Sequence, residues 1–285
     1  MNKKAQSARG WRNPRVIRST AAGKLAESLG YGSRLRRKAA AGWALGTFLI
    51  ELPTPATLAS LSLAGFDYVV LDMEHSAVDF STLEPLILAA HSAGLAALVR
   101  TWGEDTGLIG KVLDLGANGI MVPHVENAQR ARAVAEESRF PPRGSRGFSP
   151  LTKFDALSHP LQALDESVFV VVQVEGRAGL EQAGRIAAVP GIDAVFVGPY
   201  DLALSLGVSP GSPRVVTAAE RLAKAVPDTV CLGIYIDDPK QCAAWAARRF
   251  ALQCVSFDGR MLSDGARRIA DEAKRGIKKR RGRRT

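Results

Sequence analysis

One stretch constrains the fold of this chain more than any other: residues 168–206, VFVVVQVEGRAGLEQAGRIAAVPGIDAVFVGPYDLALSL. Two apolar runs, 169–174 and 194–197, each lead to a carboxylate, Glu175 and Asp201, the second after a break at Gly198-Pro199. A helix-length segment, 179–189, separates the runs and closes at Pro190-Gly191. This pattern predicts a βαβ unit, because parallel strands buried on both faces need continuous hydrophobic sequence. Both carboxylates then fall just past the carboxyl ends of neighbouring strands, where α/β folds gather their chemistry. Two hard oxygen donors converging there suit a divalent cation such as Mg²⁺ or Mn²⁺.

The same alternation runs through the rest of the chain. Strand-like apolar runs occur at 44–50, 67–73, 96–100, 119–122, 168–174, 192–197, 230–236 and 252–257. Helical patterns fill the intervals at 56–64, 80–93, 106–115, 127–138, 179–188, 217–225 and 239–248. Eight alternations predict an α/β fold of one (β/α)₈ TIM barrel, which typically needs about 250 residues. No GxGxxG follows the first strand and no GxxxxGK[ST] occurs, so dinucleotide and P-loop readings lose their main support. One connection, 140–167, is unusually long and opens with FPPRGSRGFSP, the composition of a functional loop.

Charge divides the chain into three parts. Residues 1–43 hold eleven Lys/Arg against the single acid Glu27, and residues 268–285 hold nine against Asp271 and Glu272. Residues 44–267 keep 18 basic and 25 acidic side chains, so the body is acidic although the whole chain carries +10. We therefore expect a basic flexible extension over 1–32, the barrel over 33–270 with a short basic helix at 33–41, and a disordered basic tail over 271–285. KKRRGRR near the C-terminus could neutralise phosphates, which leaves a nucleic-acid or anionic-surface binder as a reading from another class. No aromatic residue interleaves with that run, and the acidic body argues against nucleic acid as partner. Cys231, Cys242 and Cys254 form no CxxC pair and read as reduced core thiols. With no secretory leader and no apolar run long enough for a membrane span, the expected location is cytoplasmic.

Polar residues punctuate the ends of the predicted strands. The second gives VVLDMEHS with Asp72, Glu74 and His75, and the third gives LVRTW with Arg100. Asp114 ends the following helix, Gln173 and Glu175 end strand five, and GPYDLALSLG follows strand six. A buried arginine ending a Val-rich strand is costly unless it is paired or binds an anion. His91, His124 and His159 read as structural, and Trp102 as packing.

Taken together and in order, GFDYVVLDMEHS, LVRTW, LDLGANGIMVPHV, RFPPRGSRG, VQVE and GIDAVFVGPYDLALSLG resemble the HpcH/HpaI aldolase family. These are metal-dependent (class II) pyruvate aldolases of the citrate lyase β-subunit superfamily. The resemblance implies that Glu175 and Asp201 hold the divalent metal, with Mg²⁺, Mn²⁺ or Co²⁺ as candidates. It implies that Gln173 orients substrate beside it, and that Arg100 holds the ketone oxygen and stabilises the enolate. Gly198, Pro199 and Tyr200 would line the substrate site. His75 would act as acid/base with Asp114 orienting it, and Asp72 and Glu74 would support the network. The implied reaction is reversible cleavage of a 4-hydroxy-2-oxo acid to pyruvate and an aldehyde. The substrate would be of the 2-keto-3-deoxy sugar acid or 4-hydroxy-2-oxoheptanedioate type. Oxaloacetate decarboxylation, or biosynthetic carbon–carbon bond formation from the same enolate, is the alternative within enzymes. The family also implies a homo-oligomer, a hexamer with an exchanged C-terminal helix. Gly176 and Thr101 stand where the family commonly has Thr and Pro, which bears on the substrate rather than on the enolate chemistry.

Overall fold

A computed structural model describes residues 21–103, 106–149 and 161–281. The chain runs α1 (Ala21–Ala40), β1 (Ala44–Leu49), α2 (Pro55–Leu63), β2 (Tyr68–Asp72), α3 (Phe80–Ser92), β3 (Ala96–Arg100), α4 (Gly107–Asp114) and β4 (Gly119–Val122). It continues α5 (Ala128–Glu137), α6 (Leu161–Ser167), β5 (Phe169–Val174), α7 (Arg177–Ala187), β6 (Ala194–Val197), α8 (Pro199–Leu206) and α9 (Pro213–Ala225). Last come β7 (Cys231–Ile236), a 3₁₀ turn (Pro239–Gln241), α10 (Cys242–Ala246), β8 (Phe250–Phe257) and α11 (Asp258–Arg281). The eight strands pair in parallel, in sequence order, into a closed barrel. This is the (β/α)₈ architecture that the alternating sequence predicts.

Two apolar layers explain why the strands read as unbroken hydrophobic runs. Alternate residues such as Phe48, Val70, Leu98, Val171 and Phe196 fill the barrel interior. Their neighbours Val69, Val99, Val122, Val172 and Val195 pack outward against the helices. A strand buried on both faces has no polar stripe to show. The interior is filled to contact: a Cβ on Gly46 would lie 2.2 Å from the fully buried ring of Tyr68, and one on Gly233 2.4 Å from Phe196. The period of two also carries each interior row to the carboxyl end of its strand. There Asp72, Arg100 and Gln173 continue the rows of Val70, Leu98 and Val171.

Three features differ from the sequence expectation. Helix α1 begins at Ala21, so residues 21–32 are helical rather than a flexible extension. Its Tyr31, Leu35 and Ala39 recur every four residues, and this stripe seals the amino end of the barrel core. Arg36 ties the plug down through Asp193 and the carbonyls of Glu166 and Val168. Second, α11 runs on to Arg281, so residues 271–281 belong to a helix and not to a disordered tail. Their Ala, Lys, Arg and Glu content favours helix. Third, the predicted loop 140–167 ends in α6, while its residues 150–160, with His159 and Lys153, lie outside the described residues. Among the described residues no helix is long and apolar enough to cross a membrane.

At the opposite end β1 and β8 are locked by one carboxylate. Asp258 is 4% exposed and accepts from the backbone N–H groups of Ile50, Glu51, Leu52 and Gly259. This anchors the first turn of α11 beside the mouth of the barrel.

Candidate active site

The carboxyl ends of the strands enclose a cavity of about 310 Å³. Its walls include His75, Arg100, Gln173, Gly198, Pro199, Tyr200 and Asp201, so most of the residues expected at the site do meet there. No lysine is among its described lining residues.

Arg100 is fixed before any ligand arrives. The β2–β3 register sets Asp72 beside it, and Asp72 is fully buried. Arg100 Nε donates to Asp72 Oδ1 at 2.8 Å and Nη2 to Oδ2 at 2.6 Å. Such a bidentate fork sets both distance and plane. The remaining nitrogen, Nη1, lies 3.3 Å from Glu74 Oε2. Burial by itself would lower the pKa of this guanidinium, but the Asp72 bonds and the charges of Asp72, Glu74 and Glu175 outweigh it and push it up. Arg100 is therefore a permanent cation aimed along one edge of the cavity.

Glu175 is 4% exposed. Its Oε1 accepts from the His124 backbone N–H and its Oε2 from Gln173 Nε2, both at 2.8 Å. Burial pushes its carboxyl up to about 7; the His124 N–H and ring oppose this, while the charges of Asp201 and Glu74 add to it. Glu74 is raised too, by burial, against the lowering pull of Arg100, His75 and His124. Asp201 sits in the first turn of α8, a helix not among the helical patterns read from the sequence.

This donor set fits a divalent cation. The charges of Asp201 and Glu74 both bear on the buried Glu175, and a positive ion there would reverse that electrostatic cost. Gln173 Oε1 is buried without a hydrogen-bond partner. A Cβ on Gly198 would lie 2.3 Å from Glu175 Oε2, so a side chain there would displace this carboxylate. Among the described residues no group of three or more Asp, Glu, His or Cys is arranged to hold a metal ion by itself. Two carboxylates with water and substrate completing the shell is a donor set that Mg²⁺ commonly accepts.

His75 is 59% exposed at its side chain, with Nε2 3.5 Å from Glu74 Oε2. Asp114 does not reach it by a hydrogen bond in this chain; it accepts from Arg146 of the RFPPRGSRG segment at 2.7 Å. The carboxylate beside His75 is Glu74. His124, taken as structural from the sequence, stands at the site instead. Its φ of 55° is left-handed, its Nδ1 lies 3.2 Å from Glu175 Oε1 and its Nε2 3.5 Å from Glu74 Oε1. Nothing in a Pro-His pair after an apolar run announces that backbone conformation. His91 is structural as expected, buried against Asn118 Oδ1 at 2.9 Å. Burial raises the Cys231 and Cys254 thiols, as for inert core cysteines.

Sequence reasoning also passed over Tyr235, Asp237 and Arg260, which meet Tyr200 at the outer end of the cavity. Their contacts join the end of β7 to the first turn of α11, and no local pattern reports such a meeting.

Comparison with known proteins gives a consistent result. The model of the family described as HpcH/HpaI aldolase/citrate lyase matches residues 45–264. A 2-dehydro-3,6-dideoxy-6-sulfogluconate aldolase of Pseudomonas putida is 31% identical over 231 residues, 79% of this chain and 90% of its own. A hydroxypyruvate/pyruvate aldolase of Rhizorhabdus wittichii is 34% identical over 246 residues, 84% of this chain and 95% of its own. Among solved structures, an HpcH/HpaI aldolase/citrate lyase family protein from Burkholderia cenocepacia superposes with a TM-score of 0.78 at 31% identity, covering 85% of this chain and 98% of its own.

Proposed function

The chain belongs to the HpcH/HpaI aldolase/citrate lyase family, and from that premise we propose that its cavity cleaves a 4-hydroxy-2-oxo acid reversibly to pyruvate and an aldehyde. It is a carbon–carbon lyase of the aldolase type, like its relatives. One observation carries the assignment of roles: a guanidinium locked by Asp72 shares a cavity with Asp201 and lies within the electrostatic reach of the buried Glu175.

Retro-aldol cleavage leaves negative charge on the former ketone oxygen. Arg100 Nη1 faces that charge from a fixed position, so no reorganisation is needed as the charge develops. Glu175 and Asp201 would hold the divalent cation, which when bound supplies Lewis-acid polarisation of the 2-oxo acid. Gln173 holds Glu175 in place through Nε2, and its unpartnered Oε1 is an acceptor for water or for a substrate hydroxyl. The 4-hydroxyl must lose a proton for the C3–C4 bond to break. His75 lines the cavity with solvent on its other side, so it can take that proton and pass it on. Glu74, between His75 and Arg100, takes the orienting role that the resemblance gave to Asp114.

The decisive assay follows pyruvate release from a panel of 4-hydroxy-2-oxo acids with Mg²⁺, Mn²⁺, Co²⁺ or EDTA. Metal-dependent release from at least one substrate is expected. Undiminished release in EDTA would overturn the class II reading.

The assembly proposed is a homo-oligomer in which α11 is exchanged. Leu262, Ile269 and Ile277 of α11 are at least 60% exposed. A groove lined by Leu45, Phe66, Cys242, Ala246 and Val255 lies on the outer face of the barrel beside β8 and β1. In a (β/α)₈ barrel that face is covered by the last helix. Sedimentation should therefore show an oligomer for the full chain and a smaller species after deletion of residues 262–285; a monomeric full chain would exclude the exchange.

A further inference from the structure

On the aldolase reading, pyruvate occupies the Arg100 and Glu175 side of the cavity and the aldehyde must occupy the rest. The rest is aromatic and apolar. Phe48 begins it, its ring 4.6 Å from the Arg100 guanidinium carbon. Tyr235 follows with its ring centroid 6.0 Å from Phe48, and Tyr200 stands 5.9 Å from Tyr235. Ile50 and Phe257 complete this wall.

The polar atoms at this end are directed to one another. Tyr200 and Tyr235 both donate their hydroxyls to the Asp237 carboxylate, to Oδ2 and Oδ1. Arg260 Nη1 donates to the same carboxylate, and its Nε lies 3.9 Å from Asp264. Asp237 thus accepts from two hydroxyls and pairs with the Arg260 guanidinium. Burial and the Asp237 charge keep the Tyr200 phenol protonated through the neutral range. An acceptor with a second carboxylate would here face the Asp237 carboxylate and an arginine already paired to it, which is unfavourable. An uncharged, apolar acceptor would instead bury its chain against four aromatic rings.

We propose that the Tyr200–Tyr235–Asp237–Arg260 cluster is the aldehyde subsite and that it selects uncharged, branched or aromatic aldehydes over carboxylate-bearing ones. Asp237 and Arg260 act at one remove, as positioning and charge-balancing residues, while the Tyr200 and Tyr235 rings touch the acceptor. The inference rests on the aldolase reading, and the test separates the two.

The reaction is run in the synthetic direction with pyruvate and metal, pairing isobutyraldehyde or benzaldehyde against succinic semialdehyde or glyoxylate. Exchange of the pyruvate methyl protons with D₂O, measured without any aldehyde, reports enolate formation and normalises each preparation for folding and metal content. The wild-type protein should favour the uncharged aldehydes in kcat/KM by about tenfold or more. Asp237→Asn keeps an acceptor for the tyrosines but frees Arg260, and should move the ratio by about tenfold toward the carboxylate aldehydes. Arg260→Gln should move it the other way, and the double variant should return near the wild-type ratio. Exchange with a wild-type preference for carboxylate aldehydes, or exchange with a ratio indifferent to both variants, overturns the subsite while the aldolase reading stands. Absence of exchange in metal-loaded wild-type protein removes both.

Discussion

Glu175→Gln is expected to abolish metal-dependent turnover while leaving the barrel folded. The substitution keeps the volume and the acceptor for the His124 N–H, but it removes the charge that a divalent cation needs. It also turns an amide N–H₂ toward Gln173 Nε2, which now donates to Oε2. One amide must rotate, a local cost that the rest of the barrel does not share. Stability gives a readout independent of activity. The Glu175 carboxyl is pushed above its ordinary value, to about 7, so the metal-free folded state binds this proton more tightly than the unfolded chain does. The cost of its charge is then absent below the ordinary carboxylate pKa and complete above about 7. Metal-free protein should lose stability as pH rises through that window, and Glu175→Gln should flatten the loss. Saturating metal should stabilise wild type by about 2.7 kcal/mol at a hundredfold excess over Kd, and should do nothing for the variant. Asp201→Asn should behave alike toward metal. A variant that keeps full activity, or that shows the same metal-induced rise in Tm, would remove Glu175 from the metal site.

The strands were legible because burial on both faces writes an unbroken apolar run, and the site was legible wherever a polar residue interrupts such a run. Asp72, Arg100, Gln173 and Glu175 are interruptions of that kind, and period two puts them on the inner face. Asp201 was visible as an acid after a Gly-Pro break, although the helix it opens was not. What depends on the path of the backbone stayed hidden. His124 reaches two carboxylates only because its φ is 55°. Asp237 and Arg260 meet across 23 residues of sequence, with no periodicity to link them. Asp114 is a different case: its residue type was informative, but its contact was not, since Arg146 lies 32 residues further on. The α1 plug left a readable signal, Tyr31, Leu35 and Ala39 at helical spacing, which the surrounding basic residues masked.

The sharpest division between aldol chemistry and simpler enolate chemistry turns on His75. Making or breaking the C3–C4 bond moves a proton at the 4-hydroxyl, whereas oxaloacetate decarboxylation releases CO₂ and needs no base at that position. His75→Ala should therefore lower aldol turnover by roughly the 10²–10⁴ that general acid–base catalysis contributes. It should leave oxaloacetate decarboxylation close to wild type, because Asp72, Arg100, Glu175 and Asp201 are untouched. His124 provides the control within the same structure. Its ring is as exposed as that of His75, 60% against 59%, and as close to Glu74, but only His75 is among the residues lining the cavity. His124→Ala keeps the backbone N–H that Glu175 accepts, so its aldol defect should be the smaller of the two. Both reactions are measured on one metal-loaded preparation of each protein, so that folding and occupancy cancel. If the two activities fall together in His75→Ala, His75 supports the site and the proton is handled elsewhere. If His124→Ala carries the larger aldol-specific loss, the acid/base role moves to His124. And if wild type decarboxylates oxaloacetate yet forms no aldol product with any aldehyde, the enolate made beside Arg100 serves a different bond-forming or bond-breaking reaction.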